Sequence, residues 1–588
     1  MIAKETRSRR ERSLSNTRFA IALLATTALG GTLAYADEIT FFLPGNLLLS
    51  HSIYTSPASI LTAGTTVLPP GCTAATAAAS ATPCVTANAD GTYPTVFNND
   101  QVDASFGITA PILLDELRPN GDLVQSIEVP NTSERGVNST ADQMVTSFSS
   151  KSEISLNLSL DRNSVSFMGY LAPVNTIDVS NSNTPAVVDP TNPVPGADYR
   201  VVASVDAFGQ FHFTKTNAYS GNNGRAAILN NAGGANVYYT VGNAGNGANP
   251  QPVGVIEGAG AQIIPASRLP EAHQVVPETP SPVGSFSVAE LGVKADKVGK
   301  DTNFRGLTVF NNVIYTTKGS GSNGVNTVYF IDTTGNAASG NPKACPAGTG
   351  VPAQGATLPT QGIAFTAATV QTAGITPLNM CVLNGFPTAI AKNATDASLF
   401  PFGIWFANAT TLYVADEGAG DNKFASNSYT AAAASTTAGL QKWVLNTQTN
   451  TWSLAYTMQL GLNLGEPYTV KGYPTGTNPV TSLPWSPATD GLRNLTGQVN
   501  GDGTVTIYAI TSTVSGGGDQ GADPNKLVMI KDKLKATTLP ANESFTTLRT
   551  AKSGEVLRGI SFTPGTGLSP GQEISSLLCD FGLCPPQH

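Results

Sequence analysis

The sequence predicts an all-β fold, a single β-propeller with six blades, on three observations. Long amphipathic helical periodicity is absent, one strand-turn-strand unit recurs along the chain, and the two ends carry complementary fragments of that unit. Four antiparallel strands recurring at roughly 60–100 residues fit a propeller blade with loop insertions better than a plain sandwich, whose strands follow every ~10 residues.

Five segments share the character of a blade's first strand: GRAAILNN (Gly224–Asn231), FRGLTVFNN (Phe304–Asn312), FGIWFANAT (Phe402–Thr410), LRNLTGQVNGDG (Leu492–Gly503) and LRGISFTPG (Leu557–Gly565). A sixth, SEISLNLSLDRN (Ser152–Asn163), fits the spacing without the arginine. Turns rich in Asn, Asp or Gly then lead to second strands such as NVYYTVGNA, VIYTTKGSG and TLYVADEGA. After a loop of variable length come third strands such as YRVVASVDAFG, NTVYFIDTTG, LQKWVLNTQTN and KLVMIKDKL, with VGSFSVAEL ending another copy and FHFTKTN fitting a fourth strand.

LRGISFTPG has no blade after it, and NLLLSHSIY and ILLDELRPNGDLVQSIEV near the N-terminus have no first strand before them. Joining them in one blade closes the ring and removes both open sheet edges. The propeller is expected over 37–565, with insertions at about 63–109 and 340–397 and an extension over 566–588. Both insertions are long enough to hide strands, so seven blades are also compatible with the sequence.

The N-terminus carries a basic segment through Arg18, the apolar stretch FAIALLATTALGGTLA, and Ala34-Tyr-Ala36 before Asp37, the pattern of a cleavable export signal with cleavage after Ala36. A secreted or periplasmic protein without a transmembrane anchor is expected, and a monomer. Six cysteines fall in neighbouring pairs, Cys72/Cys84, Cys345/Cys381 and Cys579/Cys584, and in an exported chain local disulfides are the simplest of 15 connectivities. A formal charge of −8 and the lack of any basic run beyond residue 18 argue against a nucleic-acid partner.

In a propeller, first strands begin at the upper mouth of the channel and second-to-third-strand loops return there. Arg225, Arg305, Arg493 and Arg558 stand at the starts of first strands, so they are expected to ring that mouth. Lys318, Gly319, Gly321 and Gly324, in the loop after VIYTT, belong to the same face. Converging guanidiniums suit a small anionic ligand held by bidentate hydrogen bonds, and equally suit structural bridges between blades. Asp416, Glu417, Asp421, Asp519 and Asp523 lie in glycine-rich loops of this face and offer oxygen ligands to calcium, or are solvated turns.

Gly319–Gly324 matches G-x-G-x-x-G, but a β-branched and aromatic run follows where a nucleotide loop needs a helix, so a nucleotide is not expected. The four histidines, His51, His212, His273 and His588, form no metal-spaced pair, and G-x-S-x-G is absent. His51, in an apolar strand, fits a structurally satisfied histidine.

The stretches GNLLLSHSIYT, YPTVFNNDQVDASFGITAPILLDEL, FRGLTVFNNVIYTTKGSGSNGVNTVY, PFGIWFANATTLYVADEG and TLRTAKSGEVLRGISFTPG resemble a family of uncharacterised secreted bacterial proteins, over nearly all of the expected mature chain. That resemblance implies export and a propeller-like repeat fold. Blades such as SEISLNLSLDRNSVSFMGY resemble, more distantly, phytase-like and esterase-like propellers, whose calcium-binding carboxylate clusters are not matched residue by residue. A binding or interaction module, with a small anion or an extracellular or cell-surface partner, leads. A calcium-dependent ester hydrolase and a structural envelope protein are the alternatives.

Overall fold

The structure is a computed structural model that describes residues 41–54, 106–130, 144–147, 154–171, 174–175, 177–179, 200–216, 218–219, 223–243, 260–267, 278–279, 281–284, 303–319, 324–333, 358–361, 380–391, 399–479, 481–516 and 523–568. Phe42 onward forms one compact unit. The strands assemble into six blades. From the innermost strand outward, blade 1 is Asn157–Leu158, Ser164–Leu171, Arg200–Asp206 and Phe211–Thr216. Blade 2 is Gly224–Asn230, Val237–Gly242, Ala261–Pro265 and Ser281–Gly284. Blade 3 is Phe304–Phe310, Val313–Lys318, Thr327–Ile331 and Met380–Val382, the last drawn from within the span expected to be an insertion.

Blade 4 is Pro401–Asn408, Thr411–Asp416, Gly439–Asn446 and Thr451–Met458, and blade 5 is Ala488–Val499, Thr504–Val514, Lys526–Lys533 and Thr546–Thr550. Blade 6 is shared between the ends: C-terminal Glu555–Phe562 is innermost, then come N-terminal Leu47–Ile53, Ile112–Leu117 and Leu123–Glu128. Leu47 opposes Phe562 on one side and Leu117 on the other, so a strand from each terminus shares one ladder. Blade 1 is widened by Met144–Ser147, Phe106–Ala110 and Ile177–Val179, which add to its second strand.

Sequence chemistry accounts for these elements. Asn311 and Asn312 both adopt positive φ, 47° and 59°, between the paired Phe310 and Val313. That is the two-residue hairpin turn whose twist matches paired strands, and asparagine tolerates it. The apolar run Leu47-Leu48-Leu49 is continuous because a blade is covered on both faces. Leu47 and Leu49 pack with Leu527 and Ile510 of blade 5, whereas Leu48 packs with Phe167 and Val205 of blade 1. The core is therefore a series of apolar layers between successive blades.

One ordered element had no counterpart in the sequence reading. Residues 459–479 and 481–487, between blades 4 and 5, fold onto the second-to-third-strand loop of blade 4. Gly465 O accepts the Tyr429 N–H (2.9 Å), and Tyr429 OH donates to Pro484 O (3.2 Å).

The expected signal peptide lies outside the described residues, and so do five of the cysteines, Cys72, Cys84, Cys345, Cys579 and Cys584. Cys381 alone is described, buried in the short outermost strand of blade 3. The structure therefore does not show the expected links Cys72–Cys84, Cys345–Cys381 and Cys579–Cys584, because at least one partner of each pair falls outside it. Among the described residues, no helix is long and apolar enough to cross a membrane.

Candidate functional site

The inner strands of blades 2 to 6 share an irregularity. Their pairing with the second strand gains an extra residue between Gly224 and Ala226, Phe304 and Leu307, Pro401 and Ile404, Leu492 and Leu495, and across Leu557–Ile560 opposite Leu49 and His51. Such β-bulges bend a strand and re-aim a side chain. The bulges carry Arg225, Arg305, Phe402, Arg493 and Arg558, so the repeated arginine of the sequence is the bulge residue. In blade 1 the corresponding place is held by Ile154: its carbonyl would lie 2.2 Å from a Cβ on Gly559, just as Phe402 O would lie 2.0 Å from one on Gly306. Glycine follows the arginine there because the next blade's backbone occupies the space a side chain would need.

Second-strand hydroxyls seal two of these approaches. Thr317 Oγ1 accepts the Gly306 N–H (2.8 Å) and donates to Phe402 O of blade 4. Ser50 Oγ accepts the Gly559 N–H (2.8 Å) and donates to Ile154 O of blade 1 (2.8 Å). Between blades 5 and 6, Asn494 Nδ2 donates to Arg558 O (2.7 Å).

The arginines are buried at this end of the ring. Glu417, just past the second strand of blade 4, lies between two of them, 3.6 Å from Arg305 Nη1 and 3.0 Å from Arg493 Nε. The same two guanidiniums lie over Phe402, 5.3 and 5.9 Å from its ring centre. Burial pulls the Arg305 pKa down, Glu417 works against it, and the Arg493 charge adds to the fall. Arg558 donates to the Tyr54 hydroxyl. Arg225 holds the matching bulge of blade 2.

No protein-family model matches the chain. No curated protein matches it either. Among solved structures, a Pseudomonas aeruginosa periplasmic gluconolactonase aligns over 78% of this chain and 99% of its own, at 9% identity and a TM-score of 0.31. Extracellular domains 1–2 of Drosophila semaphorin 1a align over 72% and 83%, at 10% identity and 0.26. Likeness at this level says nothing of what this chain binds or does.

Two carboxyl groups flank the Glu417 cluster. Asp416 accepts N–H bonds from Phe400 (2.8 Å) and Gly418 (3.0 Å), and Gln441 Nε2 lies 3.2 Å away. Burial pushes its pKa up to about 7, with the charges of Glu417 and Asp490 adding and the two N–H bonds opposing. Asp490 accepts the Gly420 N–H (2.7 Å) and is likewise pushed to about 7, chiefly by burial. The arrangement thus combines guanidiniums, one carboxylate held by two of them, and two acids that exchange protons near neutrality.

The other expected site residues are dispersed. Asp523 accepts from Tyr473 OH (2.8 Å), and Asp421 pairs with Lys423 (2.9 Å) in an exposed loop. Asp519 and Gly321 lie outside the described residues. Glu417 is committed to guanidiniums and Asp523 to a tyrosine, and among the described residues no group of three or more Asp, Glu, His or Cys is placed to hold a metal ion. Lys318 is buried and donates to Asn326 Oδ1 (3.0 Å). A Cβ on Gly319 would lie 2.3 Å from Pro401 O, so that glycine allows close packing against blade 4, and Gly324 has φ +72° shortly before the strand Thr327–Ile331.

Asp490 and Phe402 escaped the sequence reading, and so did Glu417 as a partner of arginines. Phe402 had a signal, because it occupies the arginine column of the repeat. Asp490 had none, since it meets the Gly418–Gly420 loop only through the ring.

Proposed function

We propose that this chain is a secreted propeller that binds a small anionic ligand at the end of the ring where the inner-strand arginines gather. The observation that supports this reading is the bulge shared by the inner strands of four blades, on which Arg225, Arg305, Arg493 and Arg558 stand, two of them against Glu417. Planar, permanently charged guanidiniums on several rigid strands suit di- or tricarboxylates, sugar acids and phosphate esters. Arg305 and Arg493 hold Glu417, so Arg225 and Arg558 are the substitutions that test ligand contact without disturbing that group.

The test is a thermal-shift and calorimetric screen of such anions. A binder should raise the melting temperature of the wild type and lose at least tenfold in affinity in Arg225→Met and Arg558→Met. If no anion binds, or if a binder ignores both substitutions, the reading fails. Export is tested on the same preparation: mature protein should begin at Asp37, and a non-reducing peptide map should link Cys72 to Cys84, Cys345 to Cys381 and Cys579 to Cys584.

A hydrolase of carboxylate or phosphate esters is the second reading, favoured by Asp416 and Asp490 near pH 7 beside the Arg493–Glu417 pair. It expects lactone or phosphoester turnover that Asp490→Asn abolishes while the fold is retained. Full turnover in that variant, or none in the wild type, removes it.

A further inference from the structure

Blade 6 contains a buried charged group that the proposed binding end does not use. His51, on the N-terminal strand, is 4% exposed. From the inner strand Glu555 faces it, with Oε1 at 2.9 Å from Nδ1. From the third strand Asp115 faces it, with Oδ2 at 3.2 Å from Nε2. From the outermost strand of blade 5, Arg549 pairs with both carboxylates. Ser126, on the outermost strand of blade 6, hydrogen-bonds Asp115. Lys552, in the turn before the inner strand, gives Glu555 its backbone N–H (2.8 Å) and has its side chain exposed.

The geometry dictates a protonation state. A neutral imidazole has one N–H, and its other nitrogen only accepts, whereas each nitrogen here faces a carboxylate that only accepts. Both contacts are attractive only for the imidazolium. Two cations then balance two anions. Without the proton, one excess negative charge is left buried between the strands that close the ring.

We propose that ring closure is proton-controlled: His51 is a latch that holds the N- and C-terminal strands of blade 6 together when protonated and loosens them when it is not. The pairing with Asp115 and Glu555 supports this direction, because it outweighs the burial that would lower the histidine and leaves its pKa raised. A raised folded-state pKa means the stabilisation is complete below the unfolded value near 6.5. It is lost as pH climbs through the folded value, with the opening constant growing up to tenfold per pH unit in that window.

Hydrogen exchange of the whole chain from pH 5.5 to 8.5, corrected for intrinsic rates, tests the latch. Amides of Leu47–Ile53 and Glu555–Phe562 should lose protection above pH 6.5 by up to tenfold per unit, while Val313–Lys318 of blade 3 does not follow. His51→Gln should start with weaker protection in blade 6 and show no such pH dependence. His212→Gln, on the outermost strand of blade 1, should keep the wild-type profile. Flat protection in wild-type blade 6, equal changes in blades 3 and 6, or an unchanged profile in His51→Gln would each overturn the proposal. Should His51→Gln fail to fold, the wild-type comparison of blades 3 and 6 still decides.

Discussion

Glu417 belongs to blade 4 yet ties blade 3 to blade 5, because its two oxygens reach Arg305 and Arg493. Removing one partner of a buried charge group costs about 3–5 kcal/mol, since the remaining charges lose compensation. Glu417→Gln is therefore expected to lower stability by about that much in urea denaturation, and Glu417→Asp by less. A second buried group sits between blades 4 and 5: Lys442 Nζ is 3.0 Å from Asp532 Oδ2, both side chains are fully buried, and Tyr456 OH donates to Asp532 Oδ1 (2.7 Å). Lys442→Met should cost about 3–5 kcal/mol, and Lys442→Met with Asp532→Leu distinctly less, because paired replacement leaves no orphan charge. Asp490 works the other way. Its folded pKa near 7 lies above its unfolded value, so it stays protonated while the unfolded chain has ionised, and stability falls as pH rises from about 4 to 7. Asp490→Asn should accordingly gain stability over the wild type at pH 8 and little at pH 4, measured as melting temperature across pH. Side chains on this scale were half legible. The arginine column showed in the repeat, but Glu417's partners come from other blades and His51's from strands of its own blade that are distant in sequence, so neither set leaves a trace in local spacing.

Among elements, the bulged inner strand is where sequence and structure agree most closely. FRG and LRG place an arginine on the bulge and a glycine where the next blade's carbonyl arrives, 2.0 Å from a Cβ on Gly306 and 2.2 Å from one on Gly559. Gly306→Ala must push Phe402 back and is expected to cost about 1–3 kcal/mol in chemical denaturation, the usual range for overpacking. The second and third strands were legible as well, because alternation and turn residues mark them. Blade 1 was less so: its inner strand is only Asn157–Leu158, and Met144–Ser147, Phe106–Ala110 and Ile177–Val179 extend its sheet. The fourth strand of blade 3, Met380–Val382, is three residues long, too short for any period to appear. The ordered segment between blades 4 and 5 was invisible for a related reason. It is held by backbone bonds to Thr489 and Pro487 and by tyrosine hydroxyls, none of which needs a repeating pattern.

For the whole molecule, six blades and closure through both termini were legible, because the leftover fragments at the two ends complete one blade. The closure predicts that ending the chain before Glu555 leaves Leu47–Ile53 with an unpaired edge and opens the apolar layer that Leu557, Ile560 and Phe562 complete. Such a chain should show dye-binding apolar surface and no cooperative thermal transition, whereas one ending after Leu568 should melt like the full chain. The same closure fixes an order of events in biosynthesis. Gly559 and Ser50 are hydrogen-bonded across 509 residues of chain, so the second strand of blade 6 is made long before its inner partner. Contacts that distant form slowly, and an unpaired strand is an aggregation hazard while it waits. While Glu555–Phe562 is still unmade, five blades can pair internally, but Leu47–Ile53 keeps one open edge. The ring can close only once Glu555–Phe562 has been made.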